Sequence, residues 1–121
     1  MTAEEHMRQA AEFERAAALA IDGGRRRDLL FHAGQAYEAA ATRLHAAGHE
    51  DAANAPDTLR RAALLAREAA IRYRASGEPA IASRVSAIAD QLDARAAHLV
   101  ERRRQAELRE RQFDRAIYAP R

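Results

Sequence analysis

Residues 79–112 restrict the possible folds of this chain more than any other feature, because they form a long run that can be one uninterrupted helix. It opens with Pro79 and contains no further proline and no glycine. Apolar residues recur along it at seven-residue spacing: Val85, Leu92, Leu99, Ala106 and Phe113. That spacing places them in one stripe along an α-helix. The sequence therefore predicts a single long C-terminal helix.

A second column of positions beside this stripe is apolar in the first half of the helix and charged in the second half. Ile81, Ile88 and Ala96 widen the stripe in its first half, whereas Arg103 and Glu110 interrupt the column in its second half. The wide half predicts burial in a fold, and the narrow, arginine-rich half predicts an arm that projects from it. We therefore expect two parts: a helical domain over residues 1–100, and an arm and tail over residues 101–121.

The rest of the chain predicts three shorter helices. Thr2 and Glu5 form a capping-box pattern, Gly23 or Gly24 is expected to end the first helix, and Gly48 the second. The four predicted helices span residues 3–21, 25–47, 57–75 and 79–112. We expect an all-α fold of four antiparallel helices, arranged as a repeat-like stack or as an irregular bundle.

Particular positions in these helices carry further expectations. Ile21 is expected on the apolar face of the first helix, and Asp57 at the N-cap of the third. Gly34 lies mid-helix, where glycine costs about 1 kcal/mol relative to alanine, so we expect a neighbouring backbone to approach it closely.

The third helix is predicted to be apolar on two opposed sides. Its main seam consists of Leu59, Ala62, Ala66, Ala69 and Tyr73. Leu64 and Ile71 lie nearly opposite that seam at 100° per residue. Such a helix is either sandwiched between neighbours or presents one face to a partner.

Composition argues against several classes of site. The chain has no cysteine, which removes thiolate nucleophiles and cysteine-type zinc sites. His45 and His49 have metal-binding spacing, but the predicted helix end at Gly48 separates them. No pair of carboxylates suggests general acid–base catalysis. We expect no enzyme activity, no catalytic or metal site, no cofactor and no small-molecule substrate.

The same features bear on location. The N-terminal segment is acidic, and no window approaches the ~20 apolar residues of a membrane span. We therefore expect a cytoplasmic protein without a membrane partner.

Two helices carry a family resemblance. The second contains a large apolar residue, a small residue with glycine, and a tyrosine; the third contains Ala-x-x-x-Tyr before Ser-Gly-Glu-Pro. The positions are Leu30, Ala33, Gly34, Tyr37, Ala69 and Tyr73. This pattern resembles tetratricopeptide repeats. The long helices and the break between them are more similar to the soluble attachment proteins of vesicle fusion. Over residues 29–80 the resemblance implies stacked antiparallel helices, packing roles for these six positions, and protein or peptide binding.

All twenty basic residues are arginine, although the formal net charge is only +2. They cluster at Arg25–Arg27, Arg60–Arg61 and Arg102–Arg104, with Arg109 and Arg111 following. Arginine binds phosphate well, so nucleic-acid binding is one alternative. Glutamates dilute the last cluster, and no aromatic residue interleaves with it to stack bases. The first cluster lies in the first turn of a predicted helix, where cations are unfavourable, which suggests an acidic contact.

These features lead to one main functional hypothesis and two alternatives. We expect a non-enzymatic adaptor that binds another protein through Leu64 and Ile71, or through the arm. The candidate arm residues are Arg102, Arg103, Arg104, Leu108, Arg109, Phe113 and Tyr118. The arm either folds back on the bundle or docks on a second copy of the chain or on a different protein, and we favour docking. The alternatives are a nucleic-acid-binding accessory protein and a homodimer built along the heptad stripe.

Overall fold

The computed structural model describes residues 1–50 and 54–118, with the side chains of residues 1–48 and 54–117. It contains four α-helices and no strand among these residues. The helices are α1 (Ala3–Leu19), α2 (Gly23–Glu50), α3 (Ala55–Ala75) and α4 (Pro79–Tyr118). The predicted all-α fold of four packed helices is confirmed.

Each helix packs chiefly on its neighbour in the chain. Gly34 of α2 lies against Tyr73, near the end of α3, and Gly48, near the end of α2, lies against Leu59, near the start of α3. These two helices therefore run in opposite directions. The start of α1 likewise shares a groove with the end of α2, and the start of α3 shares one with Leu99 of α4. The helices therefore alternate in direction, α1 to α4.

The core is built mainly from alanine, and its centre is α3. The predicted seam of α3, from Leu59 to Tyr73, is buried between α2 and α4. Among the larger core side chains, Val85 of α4 is 1% exposed, Tyr73 is 2% exposed and Leu59 is 3% exposed. Because alanine is short, the helix axes approach closely, but each residue removes little apolar area from water.

The first turn between helices differs from its prediction. Helix α1 ends at Leu19, and Ile21 is 99% exposed rather than part of an apolar face. Neither Gly23 nor Gly24 ends α1; both begin α2, because the Asp22 carboxylate accepts a hydrogen bond from the Gly24 amide at 3.1 Å. An N-cap at Asp22 thus outweighs the tendency of glycine to end a helix.

The second turn also differs. Helix α2 continues through Gly48 to Glu50, because Gly48 is buried against Leu59 and Thr58 of α3, which hold it in helical conformation. Helix α3 begins at Ala55 rather than at Asp57. Pro56 is compatible with this start because a proline in the first turn loses no helical hydrogen bond.

Helix α3 ends at Ala75, where its predicted span ends. Gly77 has a φ of 88° and lies just beyond α3. Its amide donates to the Arg74 carbonyl at 3.1 Å, and the Glu78 amide donates to the Tyr73 carbonyl at 2.9 Å. This pair of bonds is a Schellman motif, which satisfies the last carbonyls of α3 and sets the direction of α4.

Tyr73 joins three helices. A Cβ added to Gly34 would lie 3.1 Å from Cδ1 of Tyr73, so a tyrosine ring, not the predicted backbone, approaches this glycine. The Tyr73 hydroxyl donates to Glu38 at 2.5 Å, and Glu38 also accepts a bond from Arg84 of α4 at 3.3 Å. Burial, with the hydrogen bond and negative charge of Glu38, raises the pKa of Tyr73 above its ordinary value.

A second polar cluster joins α1, α2 and α3. Arg72 donates to Glu14 of α1 and to Glu68 of its own helix. Its guanidinium lies 4.9 Å from the ring centre of Tyr37, whose hydroxyl donates to Glu14 at 3.2 Å. Burial alone would lower the pKa of Arg72, but the two glutamates outweigh it and raise that pKa. These contacts hold α1 on the stack.

Replacing Gly34 with alanine tests the fit of the Tyr73 ring. Alanine favours a helix by about 1 kcal/mol, but crowding a buried ring costs about 1–3 kcal/mol. We expect Gly34→Ala to lower the free energy of unfolding by about 1 kcal/mol in urea titrations. Gly23→Ala is the control, because nothing lies within 4 Å of its added Cβ. If Gly34→Ala raised the free energy of unfolding as much as Gly23→Ala does, the Tyr73 ring would not be crowded by a Cβ at position 34.

The raised pKa of Tyr73 predicts a loss of stability in alkali. An acid with a raised folded-state pKa stabilises the fold fully below its unfolded pKa, about 10 for tyrosine, and progressively less as pH rises further. We expect the wild type to lose stability from about pH 10 upwards, and Tyr73→Phe to lose less over the same interval. Urea unfolding followed by circular dichroism at neutral and alkaline pH measures both. Equal losses in the two proteins would contradict this role of Tyr73.

Candidate protein-binding surface

Helix α4 continues well beyond the helices that cover it. Up to Ile117, Ala96 is its last buried residue, and Leu99 is half-buried. Every side chain from Glu101 to Ile117, a segment we call the arm, is exposed. At 1.5 Å per residue the arm is about 25 Å long. Exposure does not by itself define a separate unit, so the division at residue 100 stays a prediction.

One side of the arm continues the apolar stripe of α4. This side, the arm face, comprises Leu99, Ala106, Phe113 and Ile117, with Arg103 and Glu110 among them. Phe113 is 65% exposed and Ile117 is 55% exposed. Leu108 is 43% exposed on the opposite side of the helix, and the side chain of Tyr118 lies outside the described residues.

The arm face has two edges of opposite charge. The basic edge consists of Arg95, Arg102 and Arg109 at seven-residue spacing, and the acidic edge of Glu107 and Asp114. All five side chains are exposed. Within residues 1–48 and 54–117, no arginine of the basic edge forms a salt bridge. Arg95 was not among the sequence candidates, although its spacing from Arg102 was readable.

The remaining members of the cluster Arg102–Arg104 have neighbours within the chain. Arg104 points away from the arm face and donates to Glu101 at 3.2 Å. Arg103 also interacts within the chain. Of this cluster, Arg102 is therefore the residue whose charge is most available to a partner.

A groove of about 460 Å³ lies where the arm leaves the bundle. Gly48, Ala55, Leu59 and Leu99 give it an apolar lining. Arg95, Arg102 and Arg103 flank that lining with positive charge. The groove therefore joins the arm face and the basic edge to the end of the bundle.

Leu64 and Ile71 lie apart from the arm. They are 62% and 53% exposed on the outer side of α3. The neighbouring Arg67 contacts Asp90 and Asp93 at 3.0 and 2.7 Å, which places this part of α3 beside the buried half of α4. The structure does not combine these two residues with the arm in one surface.

The first two arginine clusters are also separate. In the first, Arg26 donates to the Ala20 carbonyl at 2.8 Å, so this arginine closes the end of α1. The acidic contact suggested for this cluster stays a prediction. Arg60 pairs with Asp57 at 3.7 Å at the start of α3. The first cluster lies at the start of α2. The second cluster lies near the start of α3, which is beside the end of α2, so the two clusters lie at opposite ends of the bundle.

The predicted interruption between His45 and His49 is wrong, because α2 runs through both positions. The side chain of His49 lies outside the described residues. The described residues hold no group of three histidine, aspartate or glutamate side chains suited to a metal ion. Within residues 1–50 and 54–118, no helix combines the length and the apolar content that crossing a membrane requires.

No protein-family model matches the chain, and searches of characterised proteins and of solved structures find no match either. The tetratricopeptide resemblance therefore stays a prediction. The arm has to be interpreted from its own chemistry.

Hydrogen exchange tests whether the arm lacks tertiary support. An isolated helix of this length is marginal in water, whereas the amides beside Val85 and Leu92 open only when the bundle opens. We expect arm amides to exchange about 100-fold faster, or more, than those around Val85 and Leu92. Amide exchange followed by mass spectrometry or NMR measures this difference. Equal protection in both halves of α4 would show that the arm is covered.

Proposed function

We propose that the protein is a non-enzymatic, protein-binding adaptor and that the arm is its docking segment. The observation that carries this proposal is the exposure of Phe113 and Ile117 along a helix that continues past its bundle. Burying a large apolar side chain stabilises a complex by about 1.5–3 kcal/mol. A partner that covers the arm face would gain this free energy for each of the two residues.

The form of the arm also favours binding. A segment that is already helical loses less conformational entropy on binding than a disordered one. Its apolar residues follow one stripe, the pattern by which amphipathic helices are recognised. The protein-binding role implied by the tetratricopeptide resemblance is consistent with this proposal.

The perturbed polar residues support a non-enzymatic role. Tyr37, Arg72 and Tyr73, whose pKa values are raised, connect neighbouring helices rather than facing a common cleft. Their contacts are those of a scaffold. A cytoplasmic location, which the cysteine-free composition favours, is part of the same proposal.

The basic edge favours one alternative, a nucleic-acid-binding accessory protein. Arg95 and Arg102 beside the groove could contact phosphates. This alternative requires affinity that falls steeply with salt and is lost when Arg102, Arg103 and Arg104 are replaced by glutamine. Binding that is insensitive to salt would exclude it.

The adaptor proposal predicts that binding depends on the arm while folding does not. We expect Phe113→Ala to weaken partner capture about tenfold or more, and deletion of the residues after Val100 to abolish it. Helicity per residue and the unfolding midpoint of the bundle should change little, because arm side chains are exposed. Capture by the tagged protein from native lysate, with and without nuclease, measures binding.

Leu19→Ala is the matched control. Leu19 is 84% exposed but lies at the end of α1, and its replacement should leave capture unchanged. Capture that survives deletion of the arm would refute the proposal. Capture that disappears with nuclease would instead support the nucleic-acid alternative.

A further inference from the structure

We propose that the arm accepts an amphipathic helix of another protein, with acidic residues along one edge of its apolar face and basic residues along the other, rather than a second copy of this chain. The inference rests on the proposed adaptor function and specifies the class of partner. It is carried by the two oppositely charged edges of the arm face and by the position of α3.

A helix that covers the arm meets both of its charged edges. Lying on the arm face, it buries Phe113 and Ile117 between its own two edges, which come to lie beside the basic and acidic edges. Arg102 and Arg109 then attract acidic side chains, and Glu107 and Asp114 attract basic ones. The groove beside Leu99 gives an apolar end to the same surface.

One possible occupant is a copy that runs in the opposite direction to α4. Turning a helix end for end and laying the same face against it brings each edge against its own counterpart. With the contact centred on residue 108, Arg109 would lie near Arg109 of the copy, and Glu107 near Glu107 of the copy. Both edges would therefore repel.

Another possible occupant is a copy that runs in the same direction as α4. That arrangement pairs opposite edges, but it also pairs each residue of the stripe with its counterpart. The copy would then have to extend back over Val85 and Leu92, which are buried in the core cluster with Leu59 of α3. It would also place Arg103 against Arg103 and Glu110 against Glu110 within the contact.

A different helix meets neither obstacle. It can be short enough to end at the groove, and it can place complementary residues opposite Arg103 and Glu110. Whichever of its edges is acidic, one of the two directions along the arm places that edge beside the basic edge, because reversing the helix exchanges the edges that meet. The requirement that remains is that each of its edges carries a single sign of charge.

Two designed peptides of about 16 residues, long enough to cover the arm, test this requirement. Both are stapled helices with the same leucine face and the same composition. In the sorted peptide, glutamates lie on one edge and lysines on the other; in the mixed peptide, each edge carries both. We expect the full-length protein to bind the sorted peptide about tenfold more tightly at low salt, measured by fluorescence anisotropy.

A charge-exchanged variant provides the reciprocal test. Arg109→Glu with Asp114→Arg keeps the net charge but mixes both edges of the arm, and it should prefer the mixed peptide. Equal binding of the two peptides, or none, would overturn the inference. So would dimerisation of the free protein in sedimentation experiments, or displacement of the sorted peptide by a single-stranded oligonucleotide.

The inference and the adaptor function fail in different ways. If neither peptide binds but capture from lysate still depends on Phe113, the adaptor function stands and the class of partner is wrong. If capture also survives deletion of the arm, both are wrong.

Discussion

The packing of Tyr73 against Gly34 is the contact on which the rest of the fold depends. The ring occupies space that any Cβ at Gly34 would crowd, and the hydroxyl reaches Glu38, which also binds Arg84 of α4. In a core made mostly of alanine, few side chains are large enough to fix how helices sit relative to one another. Tyr73 does so for α2, α3 and α4 together.

The order of packing explains why an uncovered arm exists. Each helix is covered mainly by its neighbours in the chain, so α3 is buried on two sides and the terminal helices on fewer. Helix α4 has only α3 as a major neighbour, and α3 begins at Ala55, beside the groove. Beyond the level of Ala55, no other described helix covers the apolar stripe of α4. The arm face therefore follows from a difference in helix length.

Much of the candidate surface could be predicted from the sequence. The seven-residue spacing from Val85 to Phe113 and the break in the second column identified the arm, and Phe113 was singled out from it. Leu64 and Ile71 were also found to be exposed, but their distance from the arm depends on how α3 lies on α4. The role of Arg26 at the end of α1 was not predicted, because it requires knowing that Ala20 ends that helix in an extended conformation.

The sequence by itself determined the helical class, the cap at Thr2, the end of α3 at Ala75 and the direction of the apolar stripes. These features depend on residues a few positions apart, so local propensity and periodicity suffice. Tertiary structure decided that Gly48 stays inside α2, that a ring rather than a backbone fills the space beside Gly34, and where α4 leaves the bundle. These features depend on contacts between residues far apart in the chain, which local patterns do not encode.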